Sequence, residues 1–122
     1  MEKIFRCRKQ MKQRDIVLVP FPFSNFSGNK IRPALILSNN SYNNASEDVI
    51  ICGITSNLKN PKYSLIIDHN NLETGQLDIK SAIKAENVLK INKSLIIKDF
   101  ATIDKQTFSK VIKILQELFS LD

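Results

Sequence analysis

Tryptophan is absent from this sequence, histidine occurs once, cysteine twice, and only three glycines and four prolines punctuate its 122 residues. One histidine and two scattered cysteines leave no spacing at which side chains could gather a metal ion. The histidine, His69, lies in the polar turn HNNLETG beside Asp68 and Asn70, where it reads as a solvated residue rather than a general base. Cys52 falls inside an apolar run and Cys7 in a basic leader, so a disulfide would have to tie core to tail. Two reduced thiols are the expectation, as in a reducing compartment. No apolar run approaches the roughly 20 residues that cross a bilayer. The N-terminal segment is basic but lacks the apolar stretch of a signal peptide, and a cytoplasmic protein is expected.

Acidic residues are scarce in particular places. None occurs between Ile16 and Ser46 or between Val49 and Ile67, and Lys30, Arg32, Lys59 and Lys62 fall in those windows. The formal net charge is +6, of which residues 1–14 carry +5 and the remainder +1. Overall basicity is thus a property of the leader, read as a mobile, solvated extension over residues 1–13, with a phosphate-contacting arm as the alternative. Met11 offers a second possible start. The body, 14–122, reads as one domain with a modest core and a local positive patch.

What is present in quantity is short apolar runs. Asp15 to Phe21 and Ile31 to Ser38 read as two strands joined by a polar loop containing Ser24, Asn25, Phe26, Ser27, Gly28, Asn29 and Lys30. Arg32 precedes Pro33, which pushes it into an extended conformation and is tolerated only at a strand start, an edge or a bulge. A guanidinium is therefore fixed where a loop meets a strand. Asp48 to Thr55 is a third, wholly apolar strand ending in the hydroxyls of Thr55 and Ser56, with Gly53 suited to a bulge or close approach. If the two strand ends converge, an arginine and a hydroxyl share a pocket.

Between these strands, Asn39 to Ser46 reads as a surface loop. Its Tyr42, like Phe26 in the first loop, is either a packing anchor or an aromatic on which a base stacks. Tyr63 to Asp68 is expected as a fourth strand, Leu77 to Ala85 as a partly alternating segment, and Glu86 to Ile91 and Ile96 to Thr102 as short strands. Phe108, Val111, Ile112, Leu115, Leu118 and Phe119 recur at helical spacing behind Asp104, which caps the helix, with Ile103 placed to pack on Phe108. The fold class is mainly β with α, a small curled antiparallel sheet or barrel covered by a C-terminal helix.

Four stretches, D-I-V-L-V-P-F-P-F at 15–23, R-P-A-L-I-L-S at 32–38, D-V-I-I-C-G-I-T-S at 48–56 and L-K-I-N-K-S-L-I at 89–96, stand in this order before the terminal helix. Together they resemble the MazF and PemK family of toxins from toxin–antitoxin pairs. The resemblance implies an SH3-like barrel of the CcdB/MazF/PemK type and a homodimer. It further implies metal-independent, cofactor-free endoribonuclease activity on single-stranded RNA, held in check by a cognate antitoxin. Arg32 matches the arginine of the family's Arg-Pro motif and Thr55 the hydroxyl of its Thr-Ser motif, the catalytic pair. Where some members carry an arginine and an aspartate two apart, this chain has Lys84 and Glu86. The first loop also lacks the histidine that some members have.

RNA supplies its own nucleophile, the 2′-hydroxyl, so an enzyme must align it, stabilise the phosphorane and assist two proton transfers. Arg32 and Thr55 are assigned to the phosphate, and Glu86 is the alternative to arginine as base. Lys30, Ser56, Lys59 and Lys84, with Asn25 and Phe26 of the first loop, are assigned to RNA contact. Two other functions remain open: a CcdB-like toxin that poisons a protein target such as gyrase, and an RNA-binding relative without turnover. The first relies on a C-terminal tryptophan, and this chain ends in ELFSLD.

Overall fold

The computed structural model describes residues 11–22, 28–59 and 61–122. In it the three apolar runs become adjacent strands, β1 (Asp15–Pro22), β2 (Asn29–Ile36) and β3 (Asp48–Thr55). With β4 (Ser64–Ile67), β5 (Leu72–Gly75), β6 (Ser81–Asn92) and β7 (Lys98–Ile103) they form one antiparallel sheet in the order β4-β6-β3-β2-β1-β7-β5. A short helix, α1 (Asn40–Ala45), joins β2 to β3, and α2 (Lys105–Leu118) follows β7.

The central strands read as unbroken apolar runs because both of their faces are buried. Alternate residues of β1, β2 and β3 feed two cores. Ile16, Leu35, Cys52 and Ile54 point to one side, where they meet Ile67, Ile83, Ala101 and Ile103 and the helix residues Phe108 and Val111. Val17, Val19, Phe21, Ala34, Ile36, Val49 and Ile51 point to the other and meet Ile91, with Met11, Leu89 and Ile96 packed at the margin. The first core also receives Leu65 of β4 and Leu72 of β5, the two edge strands, together with Ile112 and Leu115 of α2. A sheet whose edges and centre reach one cluster has to curl. The helix covers the open side, in keeping with the expected barrel.

Four segments differ from the sequence expectation. Asn39 to Ser46 is α1 rather than a loop, because the Asn39 side chain accepts a hydrogen bond from the Tyr42 amide and caps the turn. Residues 69–75 were expected as a turn alone but hold a 3₁₀ turn (His69–Asn71) and the strand β5. Residues 77–91 do not form two segments: 76–80 are irregular, and β6 then runs unbroken from Ser81 to Asn92. The break in its alternation is a bulge. Val88 pairs with Cys52 and Lys84 with Gly53, so Ala85, Glu86 and Asn87 have no partners on β3.

The described part of the leader is docked. Gln13 donates from its amide to Asn40 Oδ1 (2.9 Å) and from its side chain to the Leu37 carbonyl (2.9 Å). Buried Asp15 accepts from the Lys12 amide (3.1 Å) and the Thr102 hydroxyl (2.9 Å), while burial pushes its carboxyl above the usual range. No helix among the described residues is long and apolar enough to cross a membrane.

The expected cap of α2 is present: Asp104 Oδ1 accepts from the Thr107 amide at 2.7 Å, and bonding to Thr107 lowers the Asp104 pKa. A carboxyl depressed in the folded state stabilises above its unfolded pKa and loses that contribution as pH falls through the folded one. Asp104→Ala is expected to lower unfolding free energy by about 0.5–2 kcal/mol at neutral pH. Denaturant melts at acid pH should bring variant and wild type closer together. Burial first, with the Glu86 charge second, pushes the Cys52 thiol up to about 12. In a Cys7→Ser background the native protein should therefore show no thiol reactive to a colorimetric disulfide reagent, and one equivalent after denaturation.

Candidate active site

Pro33 can give no N–H to a ladder, and the β2–β3 pairing starts immediately beyond it, at Ala34 opposite Gly53. Before that point β2 is paired to β1, with Arg32 opposite Val19 and Lys30 opposite Phe21. After it β3 continues on β6, with Thr55 opposite Ala82. The two strands thus part at Pro33 and Gly53. Alternation from Ala34 and Ile36 puts Arg32 on the face of the second core, and alternation from Val49 and Ile51 puts Gly53 and Thr55 on the same face. The second core ends at Phe21 and Gly53, and beyond them this face is open.

Two adjoining cavities occupy the opening. The larger, about 600 Å³, is lined by Phe21, Arg32, Gly53, Thr55, Lys84 and Asn87, among others. The smaller, about 330 Å³, is bounded by Lys30, Arg32, Thr55, Ser56, Asp78 and Ile79. Arg32 and Thr55 belong to both. The convergence expected of the two strand ends is therefore found, and the pair stands at the waist of a continuous trough.

Their hydrogen-bonding states differ in a useful way. Among the described residues the Arg32 guanidinium has no ion-pair or hydrogen-bond partner, although its side chain is half-buried. Thr55 Oγ1 accepts from the Asn57 amide at 3.1 Å, which engages one lone pair in the turn and leaves the hydroxyl hydrogen available to donate. A planar fork of donors and a single hydroxyl donor facing one opening suit a tetrahedral oxyanion.

The remaining predicted residues divide. Lys30, Ser56 and Lys84 line the trough. Lys59 is exposed on the segment after β3 and lines neither cavity. Asn25 and Phe26 lie outside the described residues. Glu86 lies in the β6 bulge rather than on the regular alternation from Lys84. Its carboxylate is 3.8 Å from Lys84 Nζ, 43% exposed, and lines neither cavity. It also helps hold the Cys52 thiol protonated, and Cys52 faces away from Thr55. His69 is exposed on the 3₁₀ turn and likewise lines neither cavity. Tyr42 is half-buried on α1 and is absent from the trough.

Two trough residues were not found from sequence. Asn87 enters because of the bulge: a Cβ on Gly53 would meet its Nδ2 at 3.3 Å and Phe21 Cζ at 3.4 Å, so glycine makes room for both. Asp78 enters from the irregular segment before β6. No group of three or more His, Cys, Asp or Glu side chains among the described residues is placed to hold a metal ion.

Residues 12–119 match the model of the PemK-like, MazF-like toxins of type II toxin–antitoxin systems. No curated protein matches the chain at a significant level. Among solved structures it is similar to the Mycobacterium tuberculosis toxin MazF-mt6, at 18% identity and a TM-score of 0.71 over 89% of this chain and 99% of that one. It is also similar to MazE–MazF from Deinococcus radiodurans, at 18% identity and a TM-score of 0.74 over 93% and 100%. A mycobacterial endoribonuclease in complex with its cognate antitoxin aligns at 15% identity and a TM-score of 0.72 over 92% and 97%. At such identities the likeness concerns the fold, whereas the family match rests on this chain's own sequence. The seven-stranded curled sheet, the closing helix and that match together place the chain in the family of PemK-like, MazF-like toxins of type II toxin–antitoxin systems.

Proposed function

We propose that the chain is a metal-independent endoribonuclease that cuts single-stranded RNA in the cytoplasm, leaving 2′,3′-cyclic phosphate and 5′-hydroxyl ends. The observation that carries this reading is that an unpartnered Arg32 guanidinium and the Thr55 hydroxyl line the same two adjoining cavities. A bent phosphodiester seated there has its non-bridging oxygens toward Arg32 and Thr55, where negative charge grows as the 2′-oxygen attacks phosphorus. Lys30 and Lys84, towards opposite ends of the trough, take the flanking phosphates, and Ser56 adds a hydroxyl beside Thr55. Lys59 reaches strand further along.

A homodimer is proposed as the working form. A cognate antitoxin is proposed to block the trough, by analogy with the similar structures solved as complexes.

Incubation of the purified, antitoxin-free protein with a long transcript in EDTA tests the reading. Cleavage to cyclic-phosphate ends is expected, with Arg32→Ala and Thr55→Val each lowering kcat by about 10²–10³-fold, since each removes an oxyanion donor. Intact RNA together with inhibition of gyrase would sink it. Gly53→Leu, which pushes a side chain into the floor between Phe21 and Asn87, should lower kcat/KM by about tenfold or more. Steady-state kinetics on a short reporter RNA would measure it.

A further inference from the structure

Asp78 is the one carboxylate among the residues that line the two cavities, and it lines the smaller one together with Lys30 and Arg32. A trough that binds phosphate gains nothing electrostatically from an anion. A carboxylate there weakens substrate binding unless it acts on the substrate.

Its segment is anchored at both ends. Gly75, at φ +87°, lies so close to β7 that a Cβ would collide with the Phe100 carbonyl oxygen. Leu77 packs against the first core, and the Ser81 hydroxyl donates to the Ile79 carbonyl at 2.9 Å. Gln76 Nε2 donates to Asp78 Oδ1 at 3.1 Å. One carboxylate oxygen is thereby oriented, and Oδ2 takes no hydrogen bond from any described residue.

The other trough groups cannot easily accept a proton. Arginine stays protonated, lysine is a cation, and Thr55 Oγ1 already accepts from Asn57. Glu86 carries the right chemistry but lines neither cavity. Resting on the ribonuclease reading, we propose that Asp78, not Glu86, is the general base that takes the 2′-hydroxyl proton of the nucleotide held at Arg32 and Thr55.

In the step, the 2′-O–H bond breaks and its proton passes to Asp78 Oδ2. The freed electron pair forms the bond from the 2′-oxygen to phosphorus. The bond from phosphorus to the 5′-oxygen then breaks, and that oxygen takes a proton from water, which reaches the open trough. Asp78 returns its proton to solvent, and no net proton is gained or lost.

The test uses the full chain, a cleavable reporter RNA and the same RNA with a 2′-deoxy nucleotide at the cut. Asp78→Asn is expected to lower kcat by about 10²–10⁴-fold. It should leave the affinity for the deoxy RNA unchanged or tighter, and remove the acid limb of the kcat/KM profile. The charged groups near Asp78 are Lys30 and Arg32 on β2, which line the same cavity, and Lys80 on its own segment. Asp78→Glu should recover part of the rate, and this variant decides the matter if Asp78→Asn fails to fold. Glu86→Gln should stay within about threefold of wild type. The assignment is overturned if Asp78→Asn cuts as wild type does, if its whole pH profile falls in parallel, or if Glu86→Gln shows the loss instead. Each of those results leaves the ribonuclease reading standing, whereas a wild-type protein that cuts no RNA removes both.

Discussion

The parting of β2 from β3 at Pro33 and Gly53 is the constraint on which the site depends. Proline has no amide hydrogen to offer a ladder, and two strands that lose their bonds expose backbone groups that must find other partners. A buried, unsatisfied amide or carbonyl costs about 1–3 kcal/mol, so the wedge between the strands has to stay open to water or to a polar ligand. An apolar plug would leave those groups orphaned. Arg32 before the proline and Thr55 after the glycine then face the same solvent-filled opening without any loop having to place them.

Rigidity comes from the two cores behind that opening. Each of the three central strands is gripped on both faces, by α2 and the edge strands on one side and by Ile91 and its neighbours on the other. A site built on strand ends inherits this fixity, which side chains on a free loop would not. The β6 bulge completes the trough by swinging Asn87 over Gly53 and taking Glu86 off the alternation that carries Lys84. One irregularity therefore decides which polar side chains face the opening.

What could be read in the sequence follows from the same physics. β1, β2, β3 and α2 were legible because long apolar runs and helical spacing are written in consecutive residues. Arg32 was legible because Pro33 fixes its surroundings, and Thr55 because a wholly apolar strand ends there. β5 was not, since LETG is short, polar and lies on an edge where no alternation is required. The α1 cap was misread because Asn and Ser serve helix caps and loops equally well. Asp78 and Asn87 left no local signal, because a turn and a bulge bring them to the trough, and the residues of β2 and β3 they join there lie more than 20 residues away.

Two arginines of this chain differ in what the fold supplies to their charge. Arg14 donates from Nη1 to Glu73 Oε1 and to the Ile103 carbonyl, both at 2.8 Å, and so ties the chain before β1 to β5 and β7. Its acceptors are supplied by the fold, and its charge is spent there. Arg32 is also partly removed from water, yet it makes no hydrogen bond or ion pair with any described residue. Holding a guanidinium half-desolvated and unpaired is unfavourable in the free protein, and the deficit is relieved when an anion arrives. With Lys30 and Lys84 also lining the opening and Asp78 as the one carboxylate there, cationic side chains outnumber carboxylates in the trough. The phosphodiester chain proposed as its ligand carries acceptors at every link.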